Sequence, residues 1–162
     1  MLEFESRIRI NDGFEQAIKT INQSQRMESH GLKIDVSENA NSVLTRRCFG
    51  FTAQDQTIRL VRVSLADLKL KGKPSRVEIY QQAHKFFLQE CHIEAGPNLR
   101  LKYLDQPLDE RLIIASEPLR GNGSQDLFVV DRDRKALWLR AIGAAENAVW
   151  DEEFEWIFQA LD

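Results

Sequence analysis

Cysteine is scarce: Cys48 and Cys91 are the only two in 162 residues. Two scattered thiols make no disulfide framework and suit a reducing compartment. Proline is limited to four residues and glycine to eight, which excludes collagen-like, Pro-rich and Gly/Ser-rich architectures. No apolar run approaches the roughly 20 residues that a membrane-spanning helix needs. The opening Met1-Leu2-Glu3-Phe4-Glu5 carries acids where a signal peptide carries bases ahead of an apolar stretch. The expectation is a cytoplasmic protein without membrane contact. Local signatures of chemistry are also missing. There is no Gly-x-Ser-x-Gly, no Gly-x-Gly-x-x-Gly and no phosphate loop. Neither an internal repeat nor a linker divides the chain, so residues 1–162 are expected to form one domain.

What is present is an ordinary globular composition, 43% hydrophobic and 29% charged, long enough to bury a core without metal or disulfide staples. The net charge of −3 conceals a gradient. Residues 1–44 hold 5 Lys+Arg against 7 Asp+Glu, residues 45–102 hold 11 against 5, and residues 103–162 hold 6 against 13. The plain reading is attraction between the basic middle and the acidic end, within the fold or across a dimer. The sharper one is a basic surface for an anionic partner. Arg46, Arg47, Arg59, Arg62, Lys69, Lys71, Lys73 and Arg76 are then the candidate anion-binding residues. Only Phe49 and Phe51 are at hand to stack on bases, fewer than a single-strand-binding sheet uses.

Periodicity supplies the elements. Leu2, Phe4, Ser6, Ile8 and Ile10 alternate with charged residues, as in a strand with one face in water. Asp12-Gly13-Phe14-Glu15 opens a helix predicted over 13–27, with Phe14, Ala17, Ile18 and Ile21 on one side. Leu32, Ile34 and Val36 mark a short strand. Residues 43–51 and 57–65 read as a hairpin with a bulge at Gly50. Ser75-Arg76-Val77-Glu78 is a capping box, followed by a helical stripe of Val77, Tyr80, Ala83, His84, Phe87, Leu88 and Cys91. Leu99, Leu101 and Tyr103 alternate like a strand, and 111–116 is apolar enough for another. Residues 127–130 and 136–142 flank a polar break, which reads as a second hairpin. Trp150, Phe154, Ile157, Phe158 and Leu161 fall at i, i+4, i+7, i+8 and i+11, which predicts a closing helix capped by Asn147. The expected fold class is α+β, a mainly antiparallel sheet with three helices packed mostly on one face.

Candidate sites follow from residues that break these patterns. On the closing helix Trp156 lies off the apolar stripe, nearly in line with Val149. An exposed tryptophan marks partner contact, so Trp156 and Val149 are the expected partner-binding residues. His84 sits in an apolar stripe near Tyr80, and a pocket between this helix and the sheet would use both. His84 and Cys91 would be about 10 Å apart along one helix, too far to share one ion. Asp126, Asp131 and Asp133 are interleaved with Arg132, Arg134 and Lys135, which reads as a solvated turn rather than a cation site. No catalytic residue, metal or cofactor is expected. The expected function is a non-catalytic cytoplasmic binding or adaptor protein that presents an apolar-aromatic surface to a protein partner or to a second copy of itself. The alternatives are nucleic-acid binding through the Arg46–Arg76 region and a small-molecule enzyme built around His84.

Overall fold

A computed structural model describes residues 3–8, 14–27, 32–45, 56–121 and 124–161. Its elements in chain order are β1 (Glu3–Ile8), α1 (Phe14–Met27), β2 (Ile34–Val36), α2 (Glu38–Leu44), β3 (Gln56–Val63), α3 (Arg76–Lys85), β4 (Leu88–Gln89), α4 (Ala95–Lys102), β5 (Arg111–Ile114), β6 (Leu119–Gly121), β7 (Ser124–Arg132), β8 (Leu137–Gly143) and β9 (Glu155–Ala160).

The strand that organises the sheet is the last one, β9, and it corrects the expected closing helix. Trp156, Phe158 and Ala160 point to one face and Ile157 to the other, and all four are buried. A strand covered on both faces reads as a continuous apolar run rather than a clean alternation. Its aromatic and β-branched residues suit the pleat. Trp150 and Phe154, which completed the helical spacing, belong to the loop before it and stack edge-to-face with ring centroids 5.5 Å apart. Leu161 is 45% exposed.

The strand order is β1-β3-β9-β5-β7-β8-β2, with β4 added beside β9 and β6 beside β7. β5 runs parallel to β9 and β2 parallel to β8, while the other pairs are antiparallel. The fold is therefore α+β around a mixed sheet, with four helices among the described residues where three were expected. The helices also divide between the faces. Ala40 and Val43 of α2 and Ala95 and Leu99 of α4 pack with Leu60, Leu112, Phe128, Val130 and Ile157. On the opposite face Ile79, Tyr80 and Ala83 of α3 pack with Val61, Val63, Ile113, Trp156 and Phe158.

Several elements follow their local chemistry. α1 and β1 lie where the periodicity put them, and β7 with β8 forms the expected hairpin. Ser75 caps α3 reciprocally: its Oγ accepts from the Glu78 amide while the Glu78 carboxylate accepts from the Ser75 amide at 2.7 Å. Asn22 of α1 acts as a substitute strand partner at the edge of β2. Its amide donates to Ile34 O at 3.0 Å and accepts from Ile34 N at 2.7 Å.

Other expectations are corrected. Residues 43–44 end α2 rather than begin a hairpin strand, and residues 46–55 lie outside the described residues. The helix after Ser75 ends at Lys85, so Leu88 enters β4 and Cys91 bridges to Ser116. Leu99, Leu101 and Tyr103 belong to α4 and its cap, not to a strand. This helix lies against the sheet because Gly96 has no side chain. A Cβ there would come within 2.7 Å of the Phe128 Cβ. No helix among the described residues is long and apolar enough to cross a membrane.

Candidate functional site

α3 covers the sheet above β3 and β9 but leaves the β7–β8 end of the same face open. A cleft of about 650 Å³ lies there, within the size range of ligand pockets. Pleating and register decide which residues enter it. β7 and β8 pair Val129 with Arg140 and Asp131 with Trp138, and β5 adds Arg111 opposite Asp131. Cross-strand partners share a face, so Arg111, Val129, Asp131, Trp138, Arg140 and Ile142 all stand on the α3 side of the sheet. The loop before β9 closes the rim with Glu153 and Phe154, and Asp109 and Asp133 complete the charged border.

Arg140 is the fixed point. Its Nε donates to both oxygens of Asp131, at 3.0 and 3.1 Å, and one terminal nitrogen donates to Asp133 Oδ2 at 3.2 Å. Its guanidinium also lies 4.1 Å from the Trp138 ring centroid, a cation–π arrangement. Asp133 is held in turn by the β7–β8 connection, where its Oδ1 accepts from the amides of Lys135 at 2.7 Å and Ala136 at 3.0 Å. The two carboxyls respond in opposite senses. Burial raises the Asp131 pKa against the pull of Arg140. The Lys135 amide chiefly lowers that of Asp133.

Behind the cleft lies a buried cation, Arg100 of α4, fully excluded from solvent. One terminal nitrogen donates to Gln106 Oε1 at 2.7 Å, to Asp131 O at 3.1 Å and to Trp138 O at 3.3 Å, and the other donates to the Tyr103 carbonyl. Desolvation pulls its pKa down to about 10. The strand residues whose side chains form the cleft floor are thus tied by their backbones to the helix on the far side.

The residues singled out from sequence fall elsewhere. Trp156 is fully buried, edge-on to Tyr80 and Trp150, because it faces inward from β9 rather than outward from a helix. It offers no surface to a partner. Val149 is 59% exposed, so the two do not form one patch. Tyr80 and His84 face different surroundings. The Tyr80 hydroxyl donates to Ser116 O at 2.7 Å in the core, and burial pushes its pKa up. His84 stands half exposed at the surface, its Nε2 2.8 Å from Glu90 Oε2.

The basic residues do not converge either. Arg46 and Arg47 lie outside the described residues. Arg62 is bound by Glu110 and Glu155, which raises its pKa further. Arg76 is buried, donating to Ala144 O at 3.1 Å and lying over the Tyr80 ring. Arg59, Lys69, Lys71 and Lys73 remain exposed.

Among the described residues no group of three His, Cys, Asp or Glu side chains is placed to hold a metal ion. Sequence reasoning read Asp131 and Asp133 as a turn neutralised by their neighbours and overlooked Arg140. The signal was the β7–β8 hairpin, whose register puts Arg140 and Trp138 beside Asp131. No protein-family model matches the sequence, and neither a curated protein nor a solved structure matches it, so geometry alone carries the functional reading.

Proposed function

We propose that the protein is a non-catalytic binding protein that uses the open cleft over β5, β7 and β8 to hold a segment of a protein partner. The observation that carries this is the immobilised Arg140, gripped by Asp131 and Asp133 and stacked on Trp138 at a solvent-open sheet face. Arg and Trp dominate binding energy at protein interfaces, and side chains already ordered cost less entropy on association. The lining supports polypeptide over nucleic acid. Asp109, Asp131, Asp133 and Glu153 accompany Arg111, Arg132 and Arg140, and acids in that number repel a phosphate backbone. Val129 and Ile142 supply the apolar part of the floor, and Phe154 that of the rim. The lining contains no Ser, Thr, Cys, His, Lys or Tyr, the usual nucleophiles and proton carriers other than carboxylates, which favours binding over catalysis.

The test is site-specific photo-crosslinking in cells, with the reactive side chain at position 154 on the cleft rim and, as control, at exposed Thr57. One discrete, nuclease-resistant protein adduct at position 154, lost when Arg140→Ala is added, is the expected result. No adduct, or one that survives Arg140→Ala while the circular dichroism is unchanged, overturns the reading.

A further inference from the structure

We propose that the Phe86–Phe87 turn, with Leu161, Lys69 and Lys85, is a second docking site, separate from the cleft, for an acidic segment of a partner protein that carries apolar anchors. The first observation is conformational. Phe87 follows the end of α3 with φ 60° and is 75% exposed, and Lys69 has φ 57° in the preceding loop. Both positions have the left-handed backbone that glycine adopts without strain at helix ends. Here they carry large side chains whose rings and charge face water. Phe86, 37% exposed, lies under Lys69, whose Nζ is 5.9 Å from the ring centroid. The two strained turns therefore meet in one patch.

The second observation is rigidity. The Phe86 amide donates to Ala83 O at 2.9 Å and the Phe87 amide to His84 O at 3.2 Å. The Leu161 amide donates to Phe87 O at 3.0 Å, which sets exposed Leu161 beside the turn. These bonds fix the main chain that presents the anchors, so the turn itself need not be ordered on binding.

The third is charge. Lys69, Lys71, Lys73 and Lys85 are exposed, and none forms a salt bridge among the described residues. Among the described residues Lys85 donates only to Gln82 Oε1, at 3.1 Å. Glu90, close along the chain, lies 2.8 Å from His84 Nε2 rather than against a lysine. An apolar pair flanked by Lys69 and Lys85, neither of them in a salt bridge among the described residues, complements a segment of apolar residues flanked by acids. A protein segment is favoured over an anionic bilayer because the chain's net charge of −3 opposes adsorption beyond the patch.

The experiment uses the full chain to select binders from a random twelve-residue displayed peptide library. The same selection is run with Phe87→Gly and with the double variant Lys69→Glu, Lys85→Glu, and the wild type is also tested for flotation with phosphatidylserine vesicles. Phe87→Gly removes the ring while relaxing the backbone, so its fold is kept, as a thermal melt verifies. The expected result is enrichment of peptides with apolar residues between acids, whose affinity falls at least tenfold in both variants. No enrichment, enrichment of basic peptides, or binding unchanged in Phe87→Gly overturns the proposal. Flotation with the vesicles in place of peptide capture assigns the patch to lipid and equally overturns it.

Discussion

Asp131 and Asp133 accept hydrogen bonds from the same guanidinium, yet their carboxyls are driven apart. Burial raises the first and backbone amides lower the second. A raised carboxyl takes up its proton in the folded protein before the unfolded chain does. The Asp131 contribution to stability therefore declines as pH rises from the unfolded value, about 3.9, through the folded one. Asp133 has the opposite sign: its contribution is full above the unfolded value and is lost as pH falls through the folded one. Carboxyl ¹³C shifts followed through an acid titration are expected to show Asp131 protonating first and Asp133 last. The reverse order would refute the electrostatic description of the cleft. Phe87 allows a second test at this scale. Left-handed backbone costs a non-glycine residue about 1–2 kcal/mol, while glycine adds about 0.5–1 kcal/mol of chain entropy to be lost on folding. Phe87→Gly is therefore expected to leave stability unchanged or raise it by up to about 1.5 kcal/mol in urea unfolding. A marked loss would show that the ring packs on the fold and is not a free anchor.

At the scale of elements, α4 couples the two sides of the sheet. Gly96 lets its backbone approach Phe128, and Arg100 reaches through to the carbonyls of Asp131 and Trp138. Gly96→Ala forces helix and strand apart and is expected to cost about 1–3 kcal/mol, as overpacking does. Arg100→Met keeps much of the volume but strands the Gln106 amide and several carbonyls, for an expected loss of about 2–4 kcal/mol. Arg100→Lys is expected to rescue little, since an ammonium lacks the planar fork. Denaturant midpoints at constant m-value check all three, and a loss under about 0.5 kcal/mol for Arg100→Met would deny α4 its role behind the cleft. The same elements show what periodicity can and cannot reveal. The Ser75–Glu78 box, the α1 stripe and the β7–β8 hairpin were legible because each depends on neighbours in sequence. β9 was not. Its burial on both faces erased the alternation, and Trp150 and Phe154 completed a helical spacing by accident. α4 was read as a strand because Leu99 and Leu101 alternate with cations, and the buried partners of Arg100 come from distant strands.

For the molecule as a whole, the division of helices between the two faces creates the candidate surfaces. With α3 over β3 and β9, and none of the described helices over the Asp131–Arg140 end of β7–β8, one face is partly closed and partly open among the described residues. The open part carries a charged cleft, and the far end of α3 carries the Phe86–Phe87 turn. The expected aromatic surface at Trp156 was misplaced because that residue closes the core, and the tryptophan beside the cleft is Trp138. Of the cleft, the acids and the hairpin could be read from sequence. The grip of Arg140 could not, because it depends on a register set by pairing rather than by composition. Recognition at the cleft depends on that grip existing before any partner arrives. The direct measurement is the arginine Nε–H NMR spectrum of the unliganded protein, compared with that of Asp131→Asn. One sharp, exchange-protected Nε–H resonance assigned to Arg140, shifted in Asp131→Asn, is the expected result. An Arg140 signal averaged like that of a solvated arginine, and indifferent to Asp131→Asn, would contradict the claim of a pre-ordered recognition surface.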